Sequence, residues 1–188
     1  MKKTITTLFL AVSLIFTACN AEQKEEAREE IQEIKEELGM AEDDDDDAIV
    51  YDFSDKGGEI SLFDIEKYTK KNENFRTTVW TGNNIQMTLM SIPVGGDIGK
   101  EIHTNIEQFI RVESGKGMVY MGDTKDEYNF QQEIKDDEAV FIPVGKWHNI
   151  KNIGDKPLKL YSIYGPVEHA RGTIHVTMEE GQTHDHDH

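Results

Sequence analysis

Residues 95–115 read GGDIGKEIHTNIEQFIRVESG, and they bring turn formers, a strand and three candidate ligands into one short segment. Gly95-Gly96-Asp97 marks one turn and Gly115-Lys116-Gly117 marks another. Between them, Gln108–Val112 is rich in β-branched and aromatic residues, which predicts a strand. Glu101 and His103 are two residues apart, so on an extended chain they share one face. Gln108 begins or precedes the next strand. Glu107 is a rival carboxylate, but a shift of one residue points it to the opposite face. A fourth polar residue, His148, follows the turn Pro143-Val144-Gly145, which can deliver it to the same interior.

The pattern extends on both sides. Phe75–Trp80, Ile85–Ile92, Met118–Met121, Ala139–Ile142 and Leu158–Tyr164 are further strand-like runs. Gly82-Asn83-Asn84, Gly122-Asp123 and Lys135-Asp136-Asp137 separate them. Short strands at regular spacing predict an all-β sandwich or barrel. A short helix is expected within Leu62–Asn72. Long helices are almost absent, which disfavours a parallel α/β fold.

The spacing Gly95-x5-Glu101-x-His103-x4-Gln108-x6-Gly115 resembles the first motif of the cupins. The usual form of that motif has His where Glu101 stands and Glu where Gln108 stands. Pro143-x-Gly145-x2-His148-x3-Asn152 resembles the second motif, with Asp137 in place of its leading Gly. Small single-domain bacterial type-2 cupins also share the Glu-x-His…Gln pattern and a sequence like Trp147-His148-Asn149. The resemblance implies a double-stranded β-helix, a jelly-roll barrel, over 48–178. It also implies one divalent metal ion held by Glu101, His103, Gln108 and His148. Two imidazoles, a carboxylate and an amide suit Mn, Fe, Co, Ni or Zn, and the residue types do not choose among them. A metal-free cupin is the alternative.

An apolar pocket with a few polar groups is the default ligand site. Trp147, Tyr164 and Phe109 are candidate substrate-binding residues, with Met87 and Phe141 as further candidates for the cavity wall. All five are equally consistent with plain core. His169 and His175 could flank the mouth of the barrel and Arg171 could meet an anionic substrate there, but a lone His or Arg is common on surfaces, and an ordinary surface residue is the first expectation for each. Residues 179–188 form a His/Asp-rich tail in which His184, His186 and His188 alternate with Asp. Such tracts bind divalent metals loosely or stay inert.

The N-terminus is an address. Met1-Lys2-Lys3 is a basic start, Leu8–Phe16 is apolar except for Ser13, and small residues precede Cys19. This is the order of a secretory signal, expected over 1–18. Phe16-Thr17-Ala18-Cys19 resembles the lipobox of bacterial lipoproteins, which makes Cys19 the expected lipid attachment site. Residues 19–47 are expected to be an acidic tether, part helical and part disordered. Ala27, Ile31, Ile34 and Leu38 recur at helical spacing. Asp43–Asp47 repels itself and extends. Calcium loops space their carboxylates and place a Gly for the turn, and five adjacent Asp residues do neither.

The formal net charge is −17. Glu22–Asp47 holds 14 acidic and 3 basic residues, so the charge concentrates there. No basic stripe exists, which excludes nucleic acid as a partner. The same balance disfavours anionic membrane surfaces. The single cysteine rules out an intrachain disulfide. The domain must hold together by its core, which its length allows.

The expected protein is a cell-envelope lipoprotein of the outer membrane, periplasmic or surface-facing. Its expected partners are the membrane, through the anchor, and a small-molecule ligand, with a homodimer through edge strands. Two functions stay open. One is an enzyme acting on a small polar molecule, since the cupins include sugar isomerases, uronate-processing enzymes and dioxygenases. The other is a non-catalytic lipoprotein that captures a metal or small ligand.

Overall fold

Isolated hairpins are unstable in water, so short half-apolar runs must pair and then stack. In the computed structural model, which describes residues 50–184, they form two antiparallel sheets. The strands are β1 (Arg76–Thr81), β2 (Gln86–Ile92), β3 (Glu101–Ile102), β4 (Glu107–Ser114), β5 (Lys116–Gly122), β6 (Phe130–Lys135), β7 (Ala139–Ile142), β8 (Trp147–Asn152), β9 (Leu158–Gly165) and β10 (Ile174–His175). One sheet runs β10-β1-β2-β9-β4-β7 and the other β3-β8-β5-β6. Helices α1 (Ile65–Lys71) and α2 (Met178–His184) flank the chain ends of this domain. Residues 1–18, Cys19, the 19–47 tether, and His186 and His188 of the tail lie outside the described residues.

Strand alternation divides the interior into two ends. On β9, Leu158, Leu160, Ser162 and Tyr164 are alternate residues and all are buried. On β2 the alternate buried set is Ile92, Met90, Thr88 and Gln86. On β4 it is Val112, Ile110 and Gln108. Register sets these sets side by side: Val112 opposes Leu160, Ile110 opposes Ser162, and Gln108 opposes Tyr164. One end is therefore aliphatic, closed by Val119, Ile134 and Ile150 from the facing sheet. The other end is polar, and polar groups buried there need partners. That asymmetry positions the site.

Helix α1 sits inside the expected Leu62–Asn72. Asp64 caps it by accepting from the Lys67 backbone N–H at 3.2 Å, and Lys70 and Lys71 lie in its last turn. Tyr68 packs its ring against Tyr51, Phe53 and Phe63, with centroids 5.1, 5.7 and 5.2 Å away. Helix α2 begins at the expected domain end at 178 and runs on to His184. A Cβ at Gly181 would stand 2.4 Å from the Phe75 ring, so the helix backbone lies against the core.

Asp137 has φ 67°, the one positive value among the described non-glycine residues. It occupies the position where the second motif usually has Gly, and the left-handed conformation explains that preference. Asp tolerates the region and its carboxylate pairs with Arg111 at 2.6 Å. A β-branched residue has neither advantage. Asp137→Val is expected to destabilise the domain by about 1–2 kcal/mol, read as a lower urea midpoint at unchanged slope.

Asp55 fastens three segments. Its carboxylate accepts from the Gly57 N–H (2.8 Å), the Thr81 N–H (2.9 Å), the Thr81 hydroxyl (2.5 Å) and the Gly172 N–H (3.2 Å). Burial pushes its pKa up, but these donors outweigh burial and hold it below the ordinary value of 3.8. A depressed folded pKa gives stability that is present above the unfolded value and lost as pH falls through the folded one. Asp55→Asn is therefore expected to be less stable than the parent at neutral pH. The two urea midpoints should converge below about pH 3.9; a constant gap down to pH 2 would contradict this.

Candidate metal centre

Register brings the two motifs together. Glu101 on β3 pairs directly with His148 on β8, so their side chains emerge side by side on one face. The Gly145 N–H donates to the His103 carbonyl at 2.7 Å and ties the loop after β3 to the turn before β8. Gly145 has φ 78°, which the tight turn requires of it. Gln108 comes from the other sheet, beside Tyr164.

Four side-chain atoms converge. His148 Nε2 lies 3.0 Å from Glu101 Oε1 and 3.1 Å from Gln108 Oε1. His103 Nε2 lies 3.6 Å from the same Glu101 oxygen. Glu101, His103 and His148 offer ligand atoms all within 4.8 Å of one another. His103 and Gln108 are buried, and His148 is fully so. The centre sits at the polar end of the barrel, as the alternation requires.

Neighbouring contacts orient these atoms. His148 Nδ1 is 3.0 Å from the Lys146 carbonyl, which can only accept. The proton is therefore on Nδ1, and Nε2 carries a lone pair into the cluster. Gln108 Nε2 donates to Ser162 Oγ at 3.3 Å, which turns its Oε1 toward His148. Lone pairs of an imidazole, a carboxylate and an amide then face one another at contact distance. Something positive must sit among them, either a proton on the imidazole or a cation. Burial pushes the Glu101 pKa up, but its contacts with the His103 and His148 rings outweigh burial and hold the carboxyl well below its usual range. The ionised carboxylate at this spot suits a cation. The donor set fits a divalent metal ion of the first transition row.

A cavity of about 700 Å³ opens over the centre. Glu101, His103, Glu168, His169, Thr173 and His175 line its inner part. Lys100, Ile102, Trp147 and Asn149 also line it. Alternation puts these on the opposite strand face from Glu101 and His148, so the cavity wraps around the β3 edge.

The other sequence candidates fall in different places. Trp147 lines the outer part of the cavity, with the Lys125 ammonium over its ring at 5.4 Å. Tyr164 is 1% exposed and backs the centre edge-on, 6.0 Å from His103 and 5.2 Å from His169. Phe109 is corrected. It alternates with Gln108, so it faces out of the barrel and packs on Phe141 and Tyr161 at 5.0 and 6.0 Å. Phe141 itself is 75% exposed and is not a cavity wall. Met87 alternates with the inward-facing Gln86 and Thr88 and is absent from the lining. Arg171 does not line the cavity; it reaches Asp55 instead. His169 and His175 do line it. Burial and the Arg76 guanidinium pull the His169 pKa from 6.5 down to about 3, so this ring is neutral. Arg76 Nη1 stands 3.5 Å from His175 Nδ1.

Glu107 is exposed, and Glu113 is buried against Arg111, so neither carboxylate faces the cavity. A second acidic group, Glu113, Asp136 and Asp137, is bridged by Arg111 through Glu113 and Asp137. Sequence reasoning missed Glu168, whose carboxylate is 3.5 Å from His103 Nδ1. Its one signal was its place beside His169 in a loop with several ionisable residues.

A jelly-roll barrel with such a donor cluster at one end defines a cupin. Residues 88–164 match the family model described as the Cupin domain. The uncharacterized protein YrkC of Bacillus subtilis (strain 168) is 51% identical over 126 residues, which cover 67% of this chain and 68% of that protein. The uncharacterized protein L612 of Acanthamoeba polyphaga mimivirus is 34% identical over 119 residues, covering 63% of this chain and 72% of that protein. Among solved structures, BH2720 of Bacillus halodurans is 50% identical with a TM-score of 0.68, over 69% of this chain and 98% of that one. The chain belongs to the cupin family.

Proposed function

We propose that the protein is an exported, lipid-anchored cupin that holds one divalent metal ion and binds a small polar molecule over it. The observation that carries this reading is the meeting of Glu101, His103, Gln108 and His148 at the floor of a cavity. Glu101, His103, Gln108 and His148 would hold the ion. Bound there, it would supply Lewis-acid polarisation of a carbonyl or hydroxyl group. The chain's own residues shape the rest. Tyr164 and the β-sheet behind it keep water from the back of the centre. Lys100 and Lys125 lie on the outer wall, where the charge of a uronate-like ligand would find cations. The signal order at 1–18 and the lipobox-like Phe16–Cys19 support export and anchoring. Isomerase-like or dioxygenase-like turnover is the enzymatic form of this reading.

Capture without turnover is the second reading, and one observation favours it. Every carboxylate in the cavity lining already has a partner. Glu101 faces His148, Glu168 faces His103, and Asp97 accepts from the Gly99 N–H at 2.8 Å and the Gln182 amide at 3.2 Å. None is left clear of the centre for proton transfer to a substrate.

Elemental analysis by mass spectrometry tests the shared core of both readings. The full chain should hold one more Mn, Fe, Co, Ni or Zn per molecule than its His148→Ala variant. Equal metal content in the two would sink the ligand assignment. Given metal, a small molecule that is retained and released unchanged supports capture, and turnover of a sugar, uronate or aromatic compound supports the enzyme.

A further inference from the structure

The two histidines of the centre are held differently. His148 has its Nδ1 fixed by a backbone carbonyl, which is part of the β8 turn and cannot be mutated away. His103 follows the two-residue strand β3, its backbone carbonyl is held by the Gly145 N–H at 2.7 Å, and its ring is set between two carboxylates. Its Nε2 faces Glu101 and its Nδ1 faces the carboxylate of Glu168. An imidazole between two carboxylates can put its proton on either nitrogen. Only the form protonated at Nδ1 offers a lone pair to a metal through Nε2. The outer carboxylate therefore decides whether His103 is a ligand.

Glu168 is delivered by a clamped loop. Gln86 grips the next residue on both sides: its amide donates to the His169 carbonyl at 2.8 Å, and its Oε1 accepts the His169 N–H at 2.9 Å. Gln86 is itself fully buried. Further along, Asp55 takes the Gly172 N–H at 3.2 Å. Two buried or nearly buried polar side chains thus fix the loop at two points just after Glu168. The Glu168 side chain is 26% exposed and faces the cavity.

We propose that Glu168 is a positioning residue: it holds the proton of His103 on Nδ1 and so turns Nε2 toward the centre as a metal ligand. The inference rests on the metal-binding reading and assigns a new role within it. Glu168 is not itself a ligand of the metal. It acts through His103 alone.

The test compares Glu168→Ala and Glu168→Gln in the full chain, with His148→Ala as the background for metal held elsewhere. Affinity is measured by competition of Co(II) with a chelator, and ligand geometry by the Co(II) visible spectrum. Loss of an outer partner of a ligating His weakens metal affinity roughly 10–100-fold. Glu168→Ala should show that loss and a changed Co(II) spectrum. Glu168→Gln should recover most of the affinity, because its amide oxygen still accepts from Nδ1–H. The melting temperature of the metal-free protein should be the same in all three, as a merely structural residue would not predict. Parent-like affinity and spectrum in Glu168→Ala would overturn the proposal while leaving the metal centre intact. No Co(II) binding by the parent above the His148→Ala background would overturn the metal reading itself.

Discussion

Replacing His148 with alanine is expected to remove the barrel metal, from about one ion per chain to none. His148 has no exposed surface, and its Nε2 is the atom closest to both other ligand types. Removing it leaves Glu101 and Gln108 without the ring atom that contacts both, and the remaining imidazole nitrogen lies 3.6 Å from Glu101. A loss of at least about 100-fold in affinity is expected, since even outer partners are worth up to that. Stability gives a second readout. A ligand that binds only the folded state adds about 4 kcal/mol at 1,000 times its Kd. The parent should gain that in melting experiments with excess Co(II) or Zn(II), and the variant should gain nothing. Circular dichroism of the metal-free variant checks that the barrel persists. A parent-like metal-dependent rise in His148→Ala would place the ion elsewhere.

Leu160→Ala should have the largest effect on folding, at about 2–5 kcal/mol. Leu160 is fully buried at the aliphatic end, on the strand with neighbours on both sides. Val112 opposes it on β4 and Met90 opposes it on β2. Two hydrogen-bonded ladders hold the backbone of β9, so the site cannot collapse to fill the cavity left behind. The upper half of the range is expected for that reason. Domains of this kind are stable by about 5–15 kcal/mol, so the loss is a large fraction of the total. An unfolding free energy from urea titration within about 0.5 kcal/mol of the parent's would show that the core at this end repacks freely.

The two variants probe opposite ends of one interior. Leu160 lies where β2, β4 and β9 all turn aliphatic residues inward. His148 lies where the same strands turn Gln86, Gln108 and Ser162 inward. The apolar end supplies the stability that lets the polar end hold an ionised carboxylate among lone pairs. The outward-facing Phe109, Phe141 and Tyr161 lie on β4, β7 and β9, the three strands at one edge of the larger sheet.

The all-β class was legible because local signals carried it. Ala139–Ile142 forms as expected, and Gln108–Val112 lies within β4. These runs are β-branched or aromatic and are bounded by turn formers, so propensity and period agree. The spacing of Glu101, His103, Gln108 and His148 was equally plain, because motif residues sit at fixed offsets from turns. β6 and β8 were not expected as strands. β6 is FQQEIK, and every residue of it but Ile134 is exposed. β8 is WHNIKN, whose inward set is His148, Ile150 and Asn152. Both are held by pairing with β5, a contact between distant residues that no local pattern records. The same reason hid the roles of individual side chains. Phe109 looked like a cavity wall by type, but its parity with Gln108 decided its direction. Glu168 has no motif, and only the loop clamps at Gln86 and Asp55 bring it to His103. Sequence alone determined most of the strands, where most of them turn and which side chains have ligand chemistry. Tertiary structure decided which of those side chains meet, because meeting depends on register and loop path across most of the domain's length.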